Sequence, residues 1–187
     1  MNTEPIEDKR QHFRRYEDRR VALLLAIHEI LFDTQAGEHR DRLLLEAVCK
    51  NFGVECAAFV IPPVADNGAC RIDSTAGDWE QNFKGKFLCG EGFDQLWELQ
   101  EEAPGALTLT RVKRPAAFPV HAWENLWSSF KMPASALLSV MLNRSVRDKN
   151  AMWLLQMSYS REWSSRDRQL SEEVAALLSR AFDKEEA

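Results

Sequence analysis

The sequence lacks the features by which membrane, secreted and thiolate-zinc proteins are usually recognised. The longest apolar run covers only residues 21–27, whereas a membrane-spanning helix needs about 18 apolar residues. No basic segment followed by an apolar stretch opens the chain, so no secretory signal is predicted. The four cysteines form no C-x-x-C pair, which argues against a disulfide scaffold and a zinc site. These absences predict a reduced, cytoplasmic protein with no membrane span.

A surplus of positive charge is absent as well. The chain carries 24 Lys and Arg residues against 29 Asp and Glu residues, for a net charge of −5, and such a balance is a poor match for DNA or RNA. Hydrophobic residues make up 45% of the 187 positions, so disorder along the whole chain is excluded. Residues 1–20 are polar and of mixed charge, which predicts a charged N-terminal extension that continues into the first helix. The length predicts a single domain over 21–187.

The first helix is predicted from a seven-residue spacing of apolar side chains. Tyr16, Leu23 and Ile30 fall seven apart, and a parallel line runs from Phe13 to Ile27 across one charged position. Three heptads are too few to separate a dimerising helix from one that packs in its own core, so both interpretations stay open. The candidate dimerisation residues on the two terminal helices are Leu23, Ile27, Ile30, Leu170, Val174 and Leu177.

Periodicity and turn signals predict ten elements. They are helices over 13–32 and 38–52, strands over 54–61 and 70–75, a helix over 93–100, a strand over 106–112, a helix over 115–132, strands over 135–142 and 151–158, and a helix from 163 to 182. Gly53 is placed to give the second helix a left-handed cap, and Ser164 and Asp167 have the spacing of a capping box. Two strand pairs are separated by short polar turns and are therefore predicted hairpins. The fold class is α+β, with a sheet that is at least partly antiparallel.

Four stretches of the chain, taken in order, carry a resemblance to a known family. They are residues 44–60, Gly90-Glu91-Gly92-Phe93, residues 132–142, and residues 163–182. The first looks like an opening helix and strand, the second like a glycine-marked helix entry, the third like a strand with small and polar residues, and the fourth like a closing helix. From Ala22 to Phe182 this succession resembles the GAF domain, a small-molecule sensory module of signalling proteins.

The resemblance implies an antiparallel sheet of six strands with helices on both faces. The first and last helices would pack together on one face, and the middle helices would cover a ligand on the other. The candidate pocket residues are Phe59, Trp79, Phe93, Trp97, His121, Trp123, Trp127 and Gln156. Gln156 is a polar residue on an otherwise apolar strand face and needs a partner. The spacing of Trp123 and Trp127 is equally typical of core packing, and that interpretation also stays open.

Three chemistries known in the family are only partly matched here. Cys89 lies in a Phe-Leu-Cys-Gly segment similar to that of members that reduce free methionine sulfoxide, but a second cysteine at a suitable distance is missing. A buried structural cysteine is the simpler interpretation. His121 is placed to bind an anionic ligand or haem, but no other histidine has metal-ligand spacing with it. Asn82-Phe83-Lys84 does not reproduce the family's cyclic-nucleotide set. No cofactor is identified, and no catalytic constellation is found.

The sequence therefore predicts a cytoplasmic sensory and regulatory domain without enzymatic activity. It would bind a small molecule and signal through its terminal helices, as a homodimer, to an output partner such as a histidine kinase or a cyclase. One alternative is a redox enzyme that uses Cys89, similar to free methionine sulfoxide reductase. The other is a ligand-free structural module for dimerisation, which an interior filled with side chains beneath Trp97 and Trp127 would favour.

Overall fold

The computed structural model describes residues 6–61, 69–78, 86–103, 105–130, 133–143 and 151–185. Its helices are α1 (Ile6–Asp33), α2 (Glu38–Phe52), α3 (Glu91–Glu102), α4 (Val120–Ser129) and α5 (Ser165–Glu185). Its strands are β1 (Cys56–Ile61), β2 (Ala69–Gly77), β3 (Phe87–Cys89), β4 (Leu107–Thr110), β5 (Ala136–Asn143) and β6 (Ala151–Ser158).

The strands form one six-stranded sheet in the order β3-β2-β1-β6-β5-β4. Every neighbouring pair is antiparallel, so the predicted α+β class and the antiparallel sheet are confirmed. The two central strands are buried along nearly their whole length, which is typical of strands that are covered by helices on both faces.

Alternation along the strands divides the interior into two cores. On β6, Met152 and Leu154 belong to the core shared with α1, α2 and α5, which is called the terminal-helix core below. Trp153 and Leu155 belong to the core shared with α3 and α4, called the middle-helix core. Successive strand residues point to opposite faces, so β1, β2, β5 and β6 contribute to both cores.

The first and last helices pack together, as predicted. The Tyr16 hydroxyl donates a hydrogen bond to the backbone oxygen of Arg166 at 3.2 Å. The Arg20 guanidinium forms an ion pair with Glu173 at 2.8 Å. These contacts tie the middle of α1 to the first turns of α5.

Both predicted helix caps are present. Gly53 follows α2 with a φ of 64° and a ψ of 45°, and its backbone N–H donates to the oxygen of Cys49. At the start of α5, the Asp167 backbone N–H donates to Ser164 Oγ at 3.1 Å, and the Ser164 backbone N–H donates to Asp167 Oδ2 at 2.9 Å. This reciprocal pair satisfies two of the free donors at a helix N-terminus.

The three largest differences from the predicted elements are in β3, α4 and α1. Strand β3 is missing from the predicted elements because three residues are too few to show periodicity. Helix α4 begins only at Val120, since Pro119 occupies its N-cap with a ψ of 145°. Helix α1 is described from Ile6, so residues 6–20 of the predicted extension belong to the first helix. The predicted turns over 62–68 and 144–150 lie outside the described residues.

Candidate functional site

The middle-helix core is filled by aromatic side chains. The ring centroids of Phe118 and Trp123 are 5.1 Å apart, those of Trp123 and Trp127 are 5.4 Å apart, and those of Trp127 and Phe130 are 6.0 Å apart. Phe93 of α3 extends this row, with its ring 5.6 Å from that of Phe130. All four contacts are edge-to-face, the arrangement that aromatic rings favour when they pack. Side chains therefore occupy the interior where the sequence predicts a ligand.

The sheet contributes a further tryptophan to this core. Trp153 of β6 is fully buried, and its ring lies 5.3 Å from that of Trp97 on α3. Trp153 is absent from the predicted pocket set. On β6 it alternates with Met152 and Gln156, so its side chain points to the opposite face of the sheet from theirs. That alternation is the signal by which it could have been found.

The buried indole N–H groups differ in whether they have an acceptor. Trp123 Nε1 donates to the backbone oxygen of Arg111 at 3.2 Å. Trp127 Nε1 and Trp153 Nε1 are both inaccessible to solvent and have no acceptor in the part of the chain that the structure describes. A buried donor without an acceptor costs about 1–3 kcal/mol, so these two groups are the unexplained polar atoms of the middle-helix core.

Four of the eight predicted pocket residues lie together here: Phe93, Trp97, Trp123 and Trp127. His121 on α4 is exposed, with its Nε2 atom 2.7 Å from a Glu91 carboxylate oxygen. It therefore pairs α4 with α3 at the protein surface and does not reach into the core. Trp79 lies outside the described residues.

The remaining two predicted pocket residues lie on the opposite face of the sheet. The Phe59 ring is 6.1 Å from that of Phe182 on α5, and Gln156 Nε2 donates to Ser171 Oγ on α5 at 3.2 Å. Strand alternation explains the placement, because Phe59 is the register partner of Leu154 and both belong to the terminal-helix core. A pocket beneath α3 and α4 would not contain Phe59 or Gln156.

Most of the predicted dimerisation residues are buried inside the chain itself. Leu23, Ile27, Leu170 and Val174 belong to the terminal-helix core, while Ile30 and Leu177 are half-buried. The outer surface of α1 carries other apolar side chains. Val21 is 50% exposed, Leu25 57% and Phe32 91%.

The thiols divide into buried and exposed groups. Cys49, Cys56 and Cys70 are largely removed from solvent, and burial raises the pKa of the Cys49 and Cys70 thiols to about 12. Cys89 at the end of β3 is exposed. Cys70 pairs with Leu88 in the register of β2 and β3, so their side chains lie on the same face of the sheet. Cys89 follows Leu88 on β3, so its side chain points to the opposite face from that of Cys70.

The described residues show neither a membrane-spanning helix nor a metal-binding cluster. None of the helices in these ranges combines the length and the hydropathy needed to cross a bilayer. Within the same ranges, no group of three or more His, Cys, Asp and Glu side chains is arranged to hold a metal ion.

Comparison with known proteins identifies the architecture. No family model and no curated protein matches the chain. Among solved structures, it is similar to the nlh2 GAF domain of A. aeolicus in an inactive state, at 16% identity and a TM-score of 0.60, over 91% of this chain and 99% of that one. It is also similar to a phycoerythrobilin-bound GAF domain from a cyanobacterial phytochrome, at 10% identity and a TM-score of 0.70, over 91% and 97% of the two chains. A third is the GAF domain of a phosphoenolpyruvate-protein phosphotransferase (ptsP) from Coxiella burnetii, at 13% identity and a TM-score of 0.59, over 90% and 99%. The chain has the GAF-domain fold.

Proposed function

We propose that this chain is a cytoplasmic sensory and regulatory module that binds a small molecule beneath α3 and α4. The observation that carries the proposal is the pair of buried indole N–H groups, on Trp127 and Trp153, that lack an acceptor in the described residues. A ligand with acceptor atoms would recover the cost of leaving them unpaired. The phycoerythrobilin-bound phytochrome GAF domain supports the proposal, because it shows that a domain of similar fold binds a small molecule.

A chain of hydrogen bonds offers a route from the middle helices to α5. Gln100 at the end of α3 accepts a hydrogen bond from Ser139 Oγ on β5 at 2.7 Å, and its amide donates to the backbone oxygen of Gly105 at 2.7 Å. The next residue, Ala106, donates its backbone N–H to a Glu172 carboxylate oxygen on α5 at 2.8 Å. A ligand that displaces α3 would therefore shift the balance between packings of α5. An output partner, such as a histidine kinase or a cyclase, would respond to the terminal helices.

We place the dimer interface of this module on the exposed stripe of α1 formed by Val21, Leu25 and Phe32. These residues fall at i, i+4 and i+11, on one side of the helix. Their exposure supports this surface over the buried Leu23 and Ile27. Sedimentation at micromolar concentration should show a dimer that Leu25→Glu and Phe32→Glu convert to a monomer. Arg15→Glu, an exposed change on the same helix, is the control; a wild-type monomer would contradict the assignment.

A ligand-free structural module is the second candidate function. The row of edge-to-face rings from Phe118 to Phe93 favours it, because a densely packed interior leaves a ligand no room unless α3 or α4 moves. The two candidates differ in whether the middle-helix core changes when small molecules are added.

The deciding experiment follows the six indole N–H signals by NMR on ¹⁵N-tryptophan-labelled protein, assigned with Trp→Phe variants. Soluble metabolites, nucleotides and biliverdin are first screened for thermal stabilisation, and the purified protein is analysed by native mass spectrometry. Sensing predicts that a stabilising compound shifts the signals of Trp127 and Trp153 more than that of Trp123, whose N–H already has an acceptor. If no compound stabilises the protein and nothing is carried through purification, the structural module is the better account.

A further inference from the structure

A cavity lies at the β4 edge of the sheet, and none of the tryptophans of the middle-helix core lines it. Its volume is about 700 Å³, within the range of about 300–1,000 Å³ typical of small-molecule pockets. One wall is formed by residues 108–110 of β4 and by residues 112–116, which follow that strand. The other is formed by Ser135, just before β5, and by residues 160–163, which connect β6 to α5.

The cavity is cationic although the chain is acidic. Lys113, Arg114 and Arg161 line it against a single carboxylate, that of Glu162, whereas the whole chain has a net charge of −5. Among the described residues, neither Lys113 nor Arg114 has a carboxylate within 4.0 Å. Arg114 instead donates to the backbone oxygen of Phe118, which holds its guanidinium in place. A concave surface lined by cations concentrates the field and attracts anions.

Two residues of the lining carry buried donors without an acceptor. Arg161 Nε and Trp163 Nε1 are inaccessible to solvent and have no acceptor in the described ranges. The guanidinium of Arg161 lies over the Trp163 ring, 5.3 Å from its centroid, so the two side chains fix each other's position. Carboxylate and phosphate oxygens are the acceptors that best match a guanidinium edge.

The remaining walls indicate that the ligand is organic. Pro115 and Trp163 contribute apolar side chains to the lining, and Thr108 and Thr110 contribute neutral polar ones. An inorganic ion would leave the apolar surface unused. We propose that this cavity binds a small organic anion, with a carboxylate or phosphate group at Lys113 and Arg161 and an apolar group against Trp163.

The position of the cavity connects such a ligand to α5. Arg161 also donates to Asp167 Oδ1 at 2.6 Å, and Asp167 is half of the capping box that begins α5. The Arg161 side chain is 20% exposed, and a ligand that binds its guanidinium would act on the segment from which α5 starts. This input to the terminal helices is separate from a ligand beneath α3 and α4, and it does not depend on one.

The test measures binding of phenyl phosphate, benzoate and inorganic phosphate by calorimetry and by the indole NMR signals. We expect phenyl phosphate or benzoate to bind saturably and to shift the Trp163 signal, and the tighter of the two identifies the anionic group. Lys113→Ala should weaken binding about fivefold to tenfold and Lys113→Glu further, because each removes attraction from an exposed position that carries no described packing role. Lys50→Ala, an exposed lysine on α2, is the matched control and should leave the affinity unchanged.

Four results would overturn the proposal, three from the binding measurements and one from the NMR signals. The first is the absence of saturable binding by all three probes, and the second is an equal affinity in the wild type and in Lys113→Glu. The third is inorganic phosphate binding as tightly as phenyl phosphate, which removes the organic part of the assignment. The NMR signals keep the two sites apart, because shifts of Trp127 and Trp153 without Trp163 contradict this proposal while supporting the middle-helix site.

Discussion

The backbone N–H of Gly92 on α3 donates a hydrogen bond to Asn125 Oδ1 on α4 at 3.0 Å. The two helices are in backbone contact at this point. A Cβ atom at Gly92 would lie 2.5 Å from the backbone nitrogen of Leu126 and 2.7 Å from the backbone oxygen of Ala122. Neither atom belongs to a flexible side chain, so the distance between α3 and α4 depends on the missing side chain of Gly92.

Gly92→Ala should therefore destabilise the protein, although alanine is the better helix former by about 1 kcal/mol. Forcing a methyl group into a packed contact costs about 1–3 kcal/mol, and the helices must separate to admit it. Urea unfolding followed by tryptophan fluorescence measures the change in unfolding free energy. Glu98→Ala, at an exposed position of α3, should change it by less than about 0.5 kcal/mol. A Gly92→Ala protein as stable as the wild type would show that the helix pair is not in close contact.

The capping box of α5 predicts a clear difference between two neighbouring serines. Ser164 Oγ accepts the Asp167 backbone N–H and donates to Asp167 Oδ2 at 2.8 Å, so Ser164→Ala should cost about 1 kcal/mol. Ser165 is the exposed first residue of the helix, and Ser165→Ala should be nearly neutral. Thermal unfolding by circular dichroism compares the two variants. Equal midpoints for both would contradict the cap.

The thiols should react in two classes. Cys89 is exposed, whereas burial raises the pKa of Cys49 and Cys70 to about 12, which keeps those groups protonated and unreactive at neutral pH. Ellman's reagent should label one thiol quickly in the native protein and four in guanidinium chloride, and Cys89→Ser should remove the fast phase. A fast phase that survives Cys89→Ser would mean that a buried cysteine opens to solvent. If the protein reduces free methionine sulfoxide and Cys89→Ser abolishes that activity, the result would support the redox alternative.

Local signals were sufficient where a feature depends on a few neighbouring residues. The left-handed cap at Gly53 and the capping box at Ser164 were both predicted correctly, since each is set by residue types at fixed short spacing. The short strand β3 was missed because it exists through its pairing with β2, which its own residues do not reveal.

Placement on a face required information that periodicity does not contain. Alternation predicts that Phe59 and its neighbours point to opposite faces, but not which helices cover each face, so Phe59 and Gln156 were assigned to the pocket although they contact α5. The same limit applies to α1. An apolar residue at the heptad position of Leu23 can pack against a partner helix or against the core of its own chain. In the structure, Leu23 packs in the terminal-helix core of its own chain.

The two tyrosines predict how stability changes at high pH. Burial, followed by the charge of Glu173, raises the pKa of Tyr16. For Tyr159, the main cause of a raised pKa is the hydrogen bond that its hydroxyl donates to Asp78 Oδ2 at 2.6 Å, followed by burial. In the unfolded chain both phenols should titrate near pH 10. Because both folded pKa values are higher, the stabilisation is fully present below about pH 10 and is lost as the pH rises through the folded values.

Absorbance at 295 nm should therefore show phenolate formation well above pH 10 in the native protein and near pH 10 in denaturant. Asp78→Asn removes the charge that opposes ionisation of Tyr159, so one of the two native transitions should move down toward pH 10. Tyr159→Phe is the control, because it leaves only the Tyr16 transition and should reduce the loss of unfolding free energy at high pH. If the native and denatured proteins titrate at the same pH, the result would contradict the raised pKa of both tyrosines. An Asp78→Asn protein with unchanged transitions would contradict the Tyr159–Asp78 bond alone.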